Sequence, residues 1–316
     1  MTDQLFFAPL EGITGYIYRN AHHEYFPGIT AYMAPFLSPY RERSLNEKLF
    51  RDVLPENNKG VPLIPQILTN HAEDFIWTAG ALNELGYTEV NLNLGCPSGT
   101  VVAKHKGAGF LEDTWQLDRF LEQIFEKTNC KISIKTRIGV HSDDEWDELL
   151  QIFGKYPIET LYIHPRLRTD FYKNTPNKEA FSKAISSYPG KICYNGDLFE
   201  KKDIQEFRKE FPEQNLMMIG RGFLKNPALH RMYLWEEEPD KWKIKEFYDR
   251  LCSDYSQSFS GEIPVLYKMK ELCIYLLPLF SNHEKYLKKI KKANHLSDFK
   301  IVFQNLFREQ EILSDL

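Results

Sequence analysis

The sequence predicts an α/β protein, a (β/α)8 TIM barrel followed by a C-terminal all-helical domain. Eight short runs of β-branched and apolar residues alternate with longer stretches of helical spacing along most of the chain. Near-continuous apolar runs are typical of parallel strands that helices cover on both faces. Eight strand–helix units in one series match a closed barrel better than an open, doubly wound sheet.

The elements can be assigned in chain order. The strands are predicted at 5–9, 29–35, 62–67, 88–94, 131–138, 160–165, 191–196 and 216–222, and the clearest intervening helices at 71–86, 113–129 and 142–156. Gly86 is expected to end the first of these helices. Ser142 is the expected N-cap of the third helix, and Glu145 completes a capping box.

The alternation stops after Pro227, and the remaining chain is predicted to be helical. These helices are expected at 241–259, 264–280, 283–292 and 297–312. We place the boundary in the polar stretch that follows residue 235, which gives domains 1–235 and 236–316. Residues 241–316 carry 13 Lys and Arg against 10 Asp and Glu, a net charge of +3, although the whole chain carries −4. The basic residues of the tail concentrate in 285–292.

The composition excludes several protein classes. With 316 residues, 42% of them hydrophobic and 14% aromatic, the chain is long and apolar enough for a globular core, unlike disordered, collagen-like or coiled-coil chains. Its five cysteines are widely spaced, which predicts neither a disulfide framework nor a metal site. We find no signal-peptide pattern and no apolar run that would span a bilayer, so we expect a cytoplasmic protein without membrane contact. Nothing in the sequence requires more than a monomer.

Polar residues follow nearly every predicted strand. In a barrel of this kind the active site is built at the carboxyl ends of the strands, so these residues are the first functional candidates. Some of them would only satisfy hydrogen bonds at the barrel mouth, but a polar side chain within an apolar strand is costly unless something polar faces it. The candidates are Pro9, Glu11, Gln66, Asn91, Asn93, Lys135, Arg137, His164, Arg166, Asn195, Asp197 and the stretch 220–222.

Two loops stand out among these strand ends. The loop after strand 8 places Arg221 between Gly220 and Gly222, and barrels often bind a phosphate at this position through backbone N–H groups. In the loop after strand 4, Cys96 lies between a glycine and a proline, where a thiol would act as nucleophile or general acid. We expect the nearby Lys104, His105 and Lys106 to tune its pKa, and the other four cysteines to be buried.

Six motifs together resemble the tRNA-dihydrouridine synthases. They are APLEGIT (8–14), NLNLGCPSGTVVAKHKGAGFL (91–111), IKTRIG (134–139), IHPR (163–166), YNGD (194–197) and IGRGFLKNP (219–227). The resemblance implies FMN-dependent reduction of the C5–C6 double bond of specific uridines in tRNA, with NADPH as electron donor. Residues 1–235 would then be the FMN-binding catalytic domain and 236–316 the tRNA-binding domain.

The same resemblance implies a role for each candidate residue. A hydride would pass from FMN N5 to uracil C6 while Cys96 gives the proton to C5, and Lys135 would neutralise charge on the N1/O2 side of the flavin. The implied cofactor contacts are Ala8, Pro9, Leu10, Gln66, Lys135, His164, Asn195, Gly196, Asp197, Gly220 and Arg221. The implied substrate and RNA contacts are Asn93, Arg137, Arg166, Tyr172, Lys285, Lys288, Lys289 and Lys292.

The chain departs from the family pattern at two points near the site. Asn91 stands where many members have an acid, and LRTDFYK follows IHPR where a TKE-type stretch is usual. Two alternatives therefore stay open. One is a flavin barrel that acts on a free small molecule such as a dihydropyrimidine, which leaves the basic tail unexplained. The other is an RNA-binding barrel without catalysis, which leaves Cys96 and Lys135 unexplained.

Overall fold

The computed structural model describes residues 2–39 and 47–313. The chain divides into two compact units, and the second draws on segments from within the barrel sequence as well as on the C-terminal helices. Unit 1 comprises Met1–Glu11, Thr30–Asp197 and Glu213–Met218; unit 2 comprises Gly12–Ile29, Leu198–Pro212 and Ile219–Leu316. The functional division at residue 235 stays a prediction.

Within the described residues, nine strands form one sheet. They are β1 (Gln4–Phe7), β2 (Ala31–Met33), β3 (Leu63–Ile64), β4 (Gln66–Ile67), β5 (Glu89–Leu94), β6 (Lys131–Gly139), β7 (Leu161–Leu167), β8 (Ile192–Tyr194) and β9 (Leu216–Ile219). Their order in the sheet is β3-β2-β1-β9-β8-β7-β6-β5-β4. Only Pro65 separates β3 from β4, so the first and last strands of this order are one chain segment and the sheet closes into a barrel.

The interruption between β3 and β4 at Pro65 has a simple physical cause. Proline has no backbone N–H, so one hydrogen bond of the ladder is missing and the strand is interrupted at this residue. The proline carbonyl still accepts a hydrogen bond from the Asn91 N–H at 2.8 Å. The remaining strand pairs around the barrel are parallel. The predicted eight-stranded barrel is therefore confirmed.

Helices follow the strands as predicted. They are α1 (Tyr16–Tyr25), α2 (Glu47–Phe50), α3 (Ala72–Glu84), α4 (Gly99–Val102), α5 (Thr114–Lys127), α6 (Glu145–Phe153), α7 (Lys178–Ser187), α8 (Lys201–Glu210), α9 (Arg221–Lys225), α10 (Leu229–Trp235), α11 (Lys241–Ser258), α12 (Glu262–Leu276), α13 (His283–Lys292) and α14 (Leu296–Glu309). Gly86 follows the end of α3 at φ +95°, a conformation that favours glycine.

The predicted N-cap of α6 is wrong by two residues. Asp144 holds that position, and the helix begins at Glu145. The Glu145 carboxylate nevertheless accepts from the backbone N–H groups of Val140, His141 and Ser142 at 2.7, 2.8 and 2.9 Å. One acidic side chain therefore satisfies three donors ahead of the helix, where a capping box would satisfy one.

The barrel interior of unit 1 contains a cluster of mostly apolar side chains. Phe6 and Tyr162 meet edge to face with their ring centroids 5.4 Å apart. The cluster is completed by Ala8, Ala31, Met33, Ile64, Cys193 and Met218, all buried. This cluster, which we call the apolar plug, fills the closed barrel. Polar side chains therefore enter the interior at the strand ends.

Unit 2 has its own core. Phe247 of α11 packs edge to face on Tyr18 and Phe26, with ring centroids 5.5 Å away in both cases. Arg250 of the same helix joins Glu24 and Asp254 in ion pairs at 2.9 and 2.8 Å. Among the described residues, no helix has both the length and the apolar character needed to cross a membrane.

We predict a measurable stability cost for Trp146→Phe. Trp146 is 1% exposed, and its indole Nε1 donates to the Ala180 carbonyl at 2.9 Å, joining α6 to α7. Loss of this hydrogen bond and of ring volume should lower the free energy of unfolding by about 1–3 kcal/mol. Urea unfolding followed by circular dichroism measures this. Trp115→Phe is the control, since Trp115 is 65% exposed and should change little; equal effects would contradict the prediction.

Candidate functional site

The candidate site of unit 1 lies at the carboxyl ends of β4 to β8. Strand alternation and register bring side chains from neighbouring strands together: Asn93 on β5 pairs with Lys135 on β6, and Arg137 pairs with His164 on β7. Gln66, Asn93, Arg137 and His164 are all buried. Polar side chains from several strands thus converge above the apolar plug.

Asn93 holds the loop that carries Cys96. Its Oδ1 accepts hydrogen bonds from the backbone N–H groups of Gly95 at 3.0 Å and Cys96 at 2.9 Å. Its Nδ2 donates to Gln66 Oε1 at 2.7 Å, and Gln66 Nε2 donates to Asn91 Oδ1 at 2.8 Å. The two residues predicted to contact uracil and flavin therefore also position the Cys96 backbone.

Cys96 is half-buried, and the glycines of the GAG motif support its loop. Gly107 has φ +58°, and a Cβ placed there would lie 2.9 Å from the Cys96 carbonyl oxygen. The next residue, Ala108, donates its N–H to that same oxygen at 3.1 Å. Only glycine allows this close approach, which explains why the motif follows the cysteine at this spacing.

Burial raises the pKa of the Cys96 thiol, and the carboxylate of Glu11 raises it further. A backbone hydrogen bond from Ser98 and the charges of Arg137 and Lys135 act in the opposite direction without reversing the shift. The thiol is therefore protonated at neutral pH. Our expectation that Lys104, His105 and Lys106 tune this pKa is wrong, because the cations that act on the sulfur, Arg137 and Lys135, come from β6.

Lys135 is a cation without a counter-charge. Within the residues that the structure describes, its ammonium group has neither a carboxylate nor a hydrogen-bond partner. Burial, together with the neighbouring charge of Arg137, lowers its pKa to about 8. A lysine held in this way stays largely protonated at neutral pH at a cost in stability, a typical property of functional sites.

Arg137 joins two loops at the rim of the site. Its guanidinium donates to the carbonyls of Gly95, Leu167 and Phe171 at 3.0, 2.8 and 2.7 Å. Burial lowers its pKa to about 10. These bonds use three of the five N–H donors, and the other two have no partner among the described residues.

His164 and Asp197 share one arginine. Arg166 donates to both carboxylate oxygens of Asp197, at 2.9 and 2.5 Å, and to His164 Nε2 at 3.0 Å. Its remaining N–H groups reach the carbonyls of Lys173 and Asn174. A guanidinium only donates, so Nε2 of His164 is an acceptor and the neutral imidazole carries its proton on Nδ1. Arg166 is 1% exposed with all five donors used, and its direct contact with RNA stays a prediction.

The other predicted cofactor contacts of unit 1 lie at the same strand ends. Asn195 is buried and donates from Nδ2 to the Met218 carbonyl at 2.8 Å. A Cβ at Gly196 would lie 2.1 Å from the hydroxyl of Tyr194, so any larger residue here would displace that buried ring. Ala8, Pro9 and Leu10 follow β1, where the first is buried and the other two are half-buried.

Unit 2 carries the remaining predicted residues. Gly220 precedes α9, and the guanidinium carbon of Arg221 lies 4.8 Å from the centroid of the Phe199 ring. Arg221 and Phe199 line a cavity of about 470 Å³ together with Lys225. On α13, Lys285, Lys288, Lys289 and Lys292 are exposed on the helix surface, while Tyr286 and Ile290 face the core.

Sequence reasoning predicted Tyr172 at the rim of unit 1 but missed its neighbour Phe171. Phe171 is 45% exposed and Tyr172, which was predicted, is 56% exposed. Phe171 has φ +53°, unusual for a bulky residue, and Arg137 binds its carbonyl. Phe171 lies in LRTDFYK, where the chain departs from the family pattern, so no family motif pointed to it. Ser133 was also missed, although it shares the inward face of β6 with Lys135.

The five cysteines are free thiols. Cys193, Cys252 and Cys273 are buried as predicted. Cys130 is only half-buried, so the prediction for it is wrong: it precedes the first residue of β6, outside the packed layer.

Comparison with known proteins identifies a family. A family model described as "Dihydrouridine synthase (Dus)" matches residues 6–314. A "Probable tRNA-dihydrouridine synthase" of Staphylococcus aureus is 27% identical over 256 residues, which cover 77% of this chain and 74% of that protein. A "Probable tRNA-dihydrouridine synthase 2" of Bacillus subtilis is 26% identical over 275 residues, covering 83% and 80%.

Solved structures support the fold. The old yellow enzyme homologue from Zymomonas mobilis superposes with a TM-score of 0.53 at 10% identity, covering 75% of this chain and 90% of that one. Morphinone reductase gives 0.53 at 11% identity, covering 76% and 88%. At such low identity the likeness concerns architecture alone.

We predict that Lys135→Met stabilises the ligand-free protein. The folded pKa of about 8 lies below the ordinary 10.5, so the unfolded chain holds the lysine proton more tightly. Below pH 8 the variant should be more stable by about 1–3 kcal/mol, and this advantage should shrink as the pH rises toward 10.5. Urea unfolding of both proteins at pH 7 and 10 measures it. All other titrating groups are common to both, so an advantage independent of pH would contradict the assigned cause.

Proposed function

The chain belongs to the dihydrouridine synthase family, and we propose that it reduces the C5–C6 double bond of specific uridines in tRNA. It is an oxidoreductase of the flavin-dependent type. FMN as the flavin, NADPH as the electron donor and tRNA as the substrate are parts of the proposal. The observation that carries it is the half-buried, protonated thiol of Cys96 beside the unpaired cation Lys135.

The residues of unit 1 fit a flavin. The unpaired ammonium of Lys135 suits the electron-rich N1/O2 side of the ring, which gains negative charge on reduction. Arg137 retains two donors for a carbonyl of flavin or uracil. When bound, FMN supplies the hydride that reaches uracil C6. Ala8, Pro9, Leu10, Gln66, His164, Asn195, Gly196 and Asp197 would hold the cofactor in unit 1.

Cys96 would hold the second hydrogen, the proton that C5 of uracil needs. Its raised pKa keeps the sulfur protonated until the base requires it. After proton transfer the thiolate lies within the electrostatic influence of Arg137 and Lys135, which favour the charged form. The hydrogen bonds from Gly95 and Cys96 to Asn93 keep the sulfur-bearing loop in place during the transfer.

Two surfaces support an RNA substrate. In unit 1, the exposed rings of Phe171 and Tyr172 offer flat faces on which unstacked bases can pack. In unit 2, the lysines of α13 form a basic helix face suited to phosphates. A uridine inside folded tRNA must leave its stack to reach a reactive centre in a barrel mouth, and both surfaces would stabilise that state.

The function is tested directly by incubating the purified protein with FMN, NADPH and tRNA that lacks dihydrouridine. We expect the nucleosides to gain two hydrogens at specific uridines, measured by mass spectrometry. A protein that oxidises NADPH with a free pyrimidine but never modifies tRNA would overturn the proposal in favour of a small-molecule reductase.

We predict that Cys96→Ala lowers dihydrouridine formation by about 10²–10⁴-fold, since a general acid contributes this much. Flavin content and reduction of the flavin by NADPH should stay near those of the unaltered protein, because the thiol serves only the step on uracil. Cys130→Ala is the matched control: it removes another half-buried thiol and should retain full product yield. Normal yield from Cys96→Ala would refute the assigned role.

We predict that neutralising Lys288 and Lys289 together, as glutamine, weakens tRNA binding and lowers its salt dependence. Each phosphate contact contributes about one unit to the slope of log affinity against log salt, so the slope should fall by about two. Binding is measured between 50 and 200 mM salt. As control, Lys183 and Lys202, exposed on α7 and α8, are changed in the same way. Equal losses in both variants would indicate that total charge, and not α13, governs binding.

A further inference from the structure

One continuous chain of hydrogen bonds runs from the Cys96 backbone into the barrel interior. Its direction is fixed at the upper end, because backbone N–H groups can only donate. Asn93 Oδ1 accepts from Gly95 and Cys96, so Asn93 Nδ2 is the donor toward Gln66 Oε1 at 2.7 Å. The orientation of this first amide follows from hydrogen-bond chemistry alone.

The same logic orients the next two amides. Gln66 Nε2 donates to Asn91 Oδ1 at 2.8 Å, and Asn91 Nδ2 donates to Ser133 Oγ at 3.0 Å. The Ser133 hydroxyl then faces the Val90 carbonyl at 3.5 Å and the Glu89 carboxyl group. Asn91 and Ser133 are completely buried, so water cannot replace a lost partner there. Exchanging the oxygen and nitrogen of any one amide would place two donors or two acceptors against each other.

We propose that Asn91 and Ser133 are positioning residues for the proton donor. Together they fix the Gln66 amide, which fixes the Asn93 amide, which in turn holds the Cys96 backbone. The proposal rests on the proposed function only in taking Cys96 as the proton donor. The hydrogen bonds themselves do not depend on that assignment.

Asn91→Leu and Asn91→Asp separate this role from simple packing. Leucine removes both partners, so Gln66 Nε2 keeps only the weak acceptor Met33 Sδ at 3.2 Å. The Gln66 side chain can then leave its place beside Asn93, and the Asn93 amide holds the Cys96 backbone less firmly. Aspartate keeps an acceptor for Gln66 Nε2 and offers its second oxygen to the Ser133 hydroxyl. The orientation of Gln66 and all later bonds is then retained, so aspartate should restore what leucine loses.

The experiment measures alkylation of Cys96 by iodoacetamide, by mass spectrometry, in flavin-loaded and flavin-free protein. We expect Asn91→Leu to change the alkylation rate about tenfold or more and to lower kcat for tRNA by about 10–100-fold, with KM nearly unchanged, since small misplacement of a reacting group has effects of this size. Asn91→Asp should return both values to within about threefold of the unaltered protein.

Thr78→Val is the matched control. It removes a buried hydrogen bond, from Thr78 Oγ1 to the Asp74 carbonyl at 2.7 Å within α3, and should leave Cys96 alkylation unchanged. Equal changes in Thr78→Val and Asn91→Leu, or none in Asn91→Leu, would overturn the proposal. Should Asn91→Leu fail to fold, Ser133→Ala carries the same test with a smaller cavity. Alkylation does not require turnover, so its outcome stands even if tRNA proves not to be the substrate.

Discussion

The convergence of two backbone N–H groups on the Asn93 amide oxygen is the constraint on which the polar half of the barrel depends. Buried polar groups must be paired, and an amide that accepts on one side must donate on the other. The bend of the Cys96 loop therefore specifies Gln66, and through it Asn91, on neighbouring strands. This network differs from the apolar plug below it, where shape alone decides the fit and many apolar side chains would serve.

The buried cations at the barrel mouth differ in whether a carboxylate neutralises them. Arg166 is buried but neutralised by the bidentate carboxylate of Asp197, so it serves as a structural fixture for His164 and the following loop. Among the described residues, Lys135 has no such partner. Arg137 donates to three carbonyls and lies with its guanidinium carbon 5.8 Å from the centroid of the Tyr172 ring. Unit 1 thus concentrates unneutralised positive charge at the barrel mouth, although residues 1–240 carry 27 basic and 34 acidic residues and are acidic overall. An anionic reduced flavin is the kind of ligand that such a field stabilises.

The barrel could be predicted from sequence because eight apolar runs and their spacing repeat one local rule, and so could most of the helices. The candidate site residues could be singled out because they end strands. Their pairings could not, since the orientation of Gln66 or the five contacts of Arg166 depend on side chains distant in sequence. The N-cap of α6 was misplaced because Glu145 satisfies three backbone donors, a solution that a capping-box pattern does not anticipate.

The protonation state of Cys96 follows from a competition between these features. Lys135 and Arg137 would by themselves draw the thiol toward thiolate, as nearby cations do in nucleophilic cysteines. Burial and the Glu11 carboxylate act against them, and the net shift is upward. A nucleophile would need the opposite balance, so burial and the three charged groups together favour proton donation over attack. Once the proton has left, the two cations become stabilising, and the site thus favours the thiol before the step and tolerates the thiolate after it.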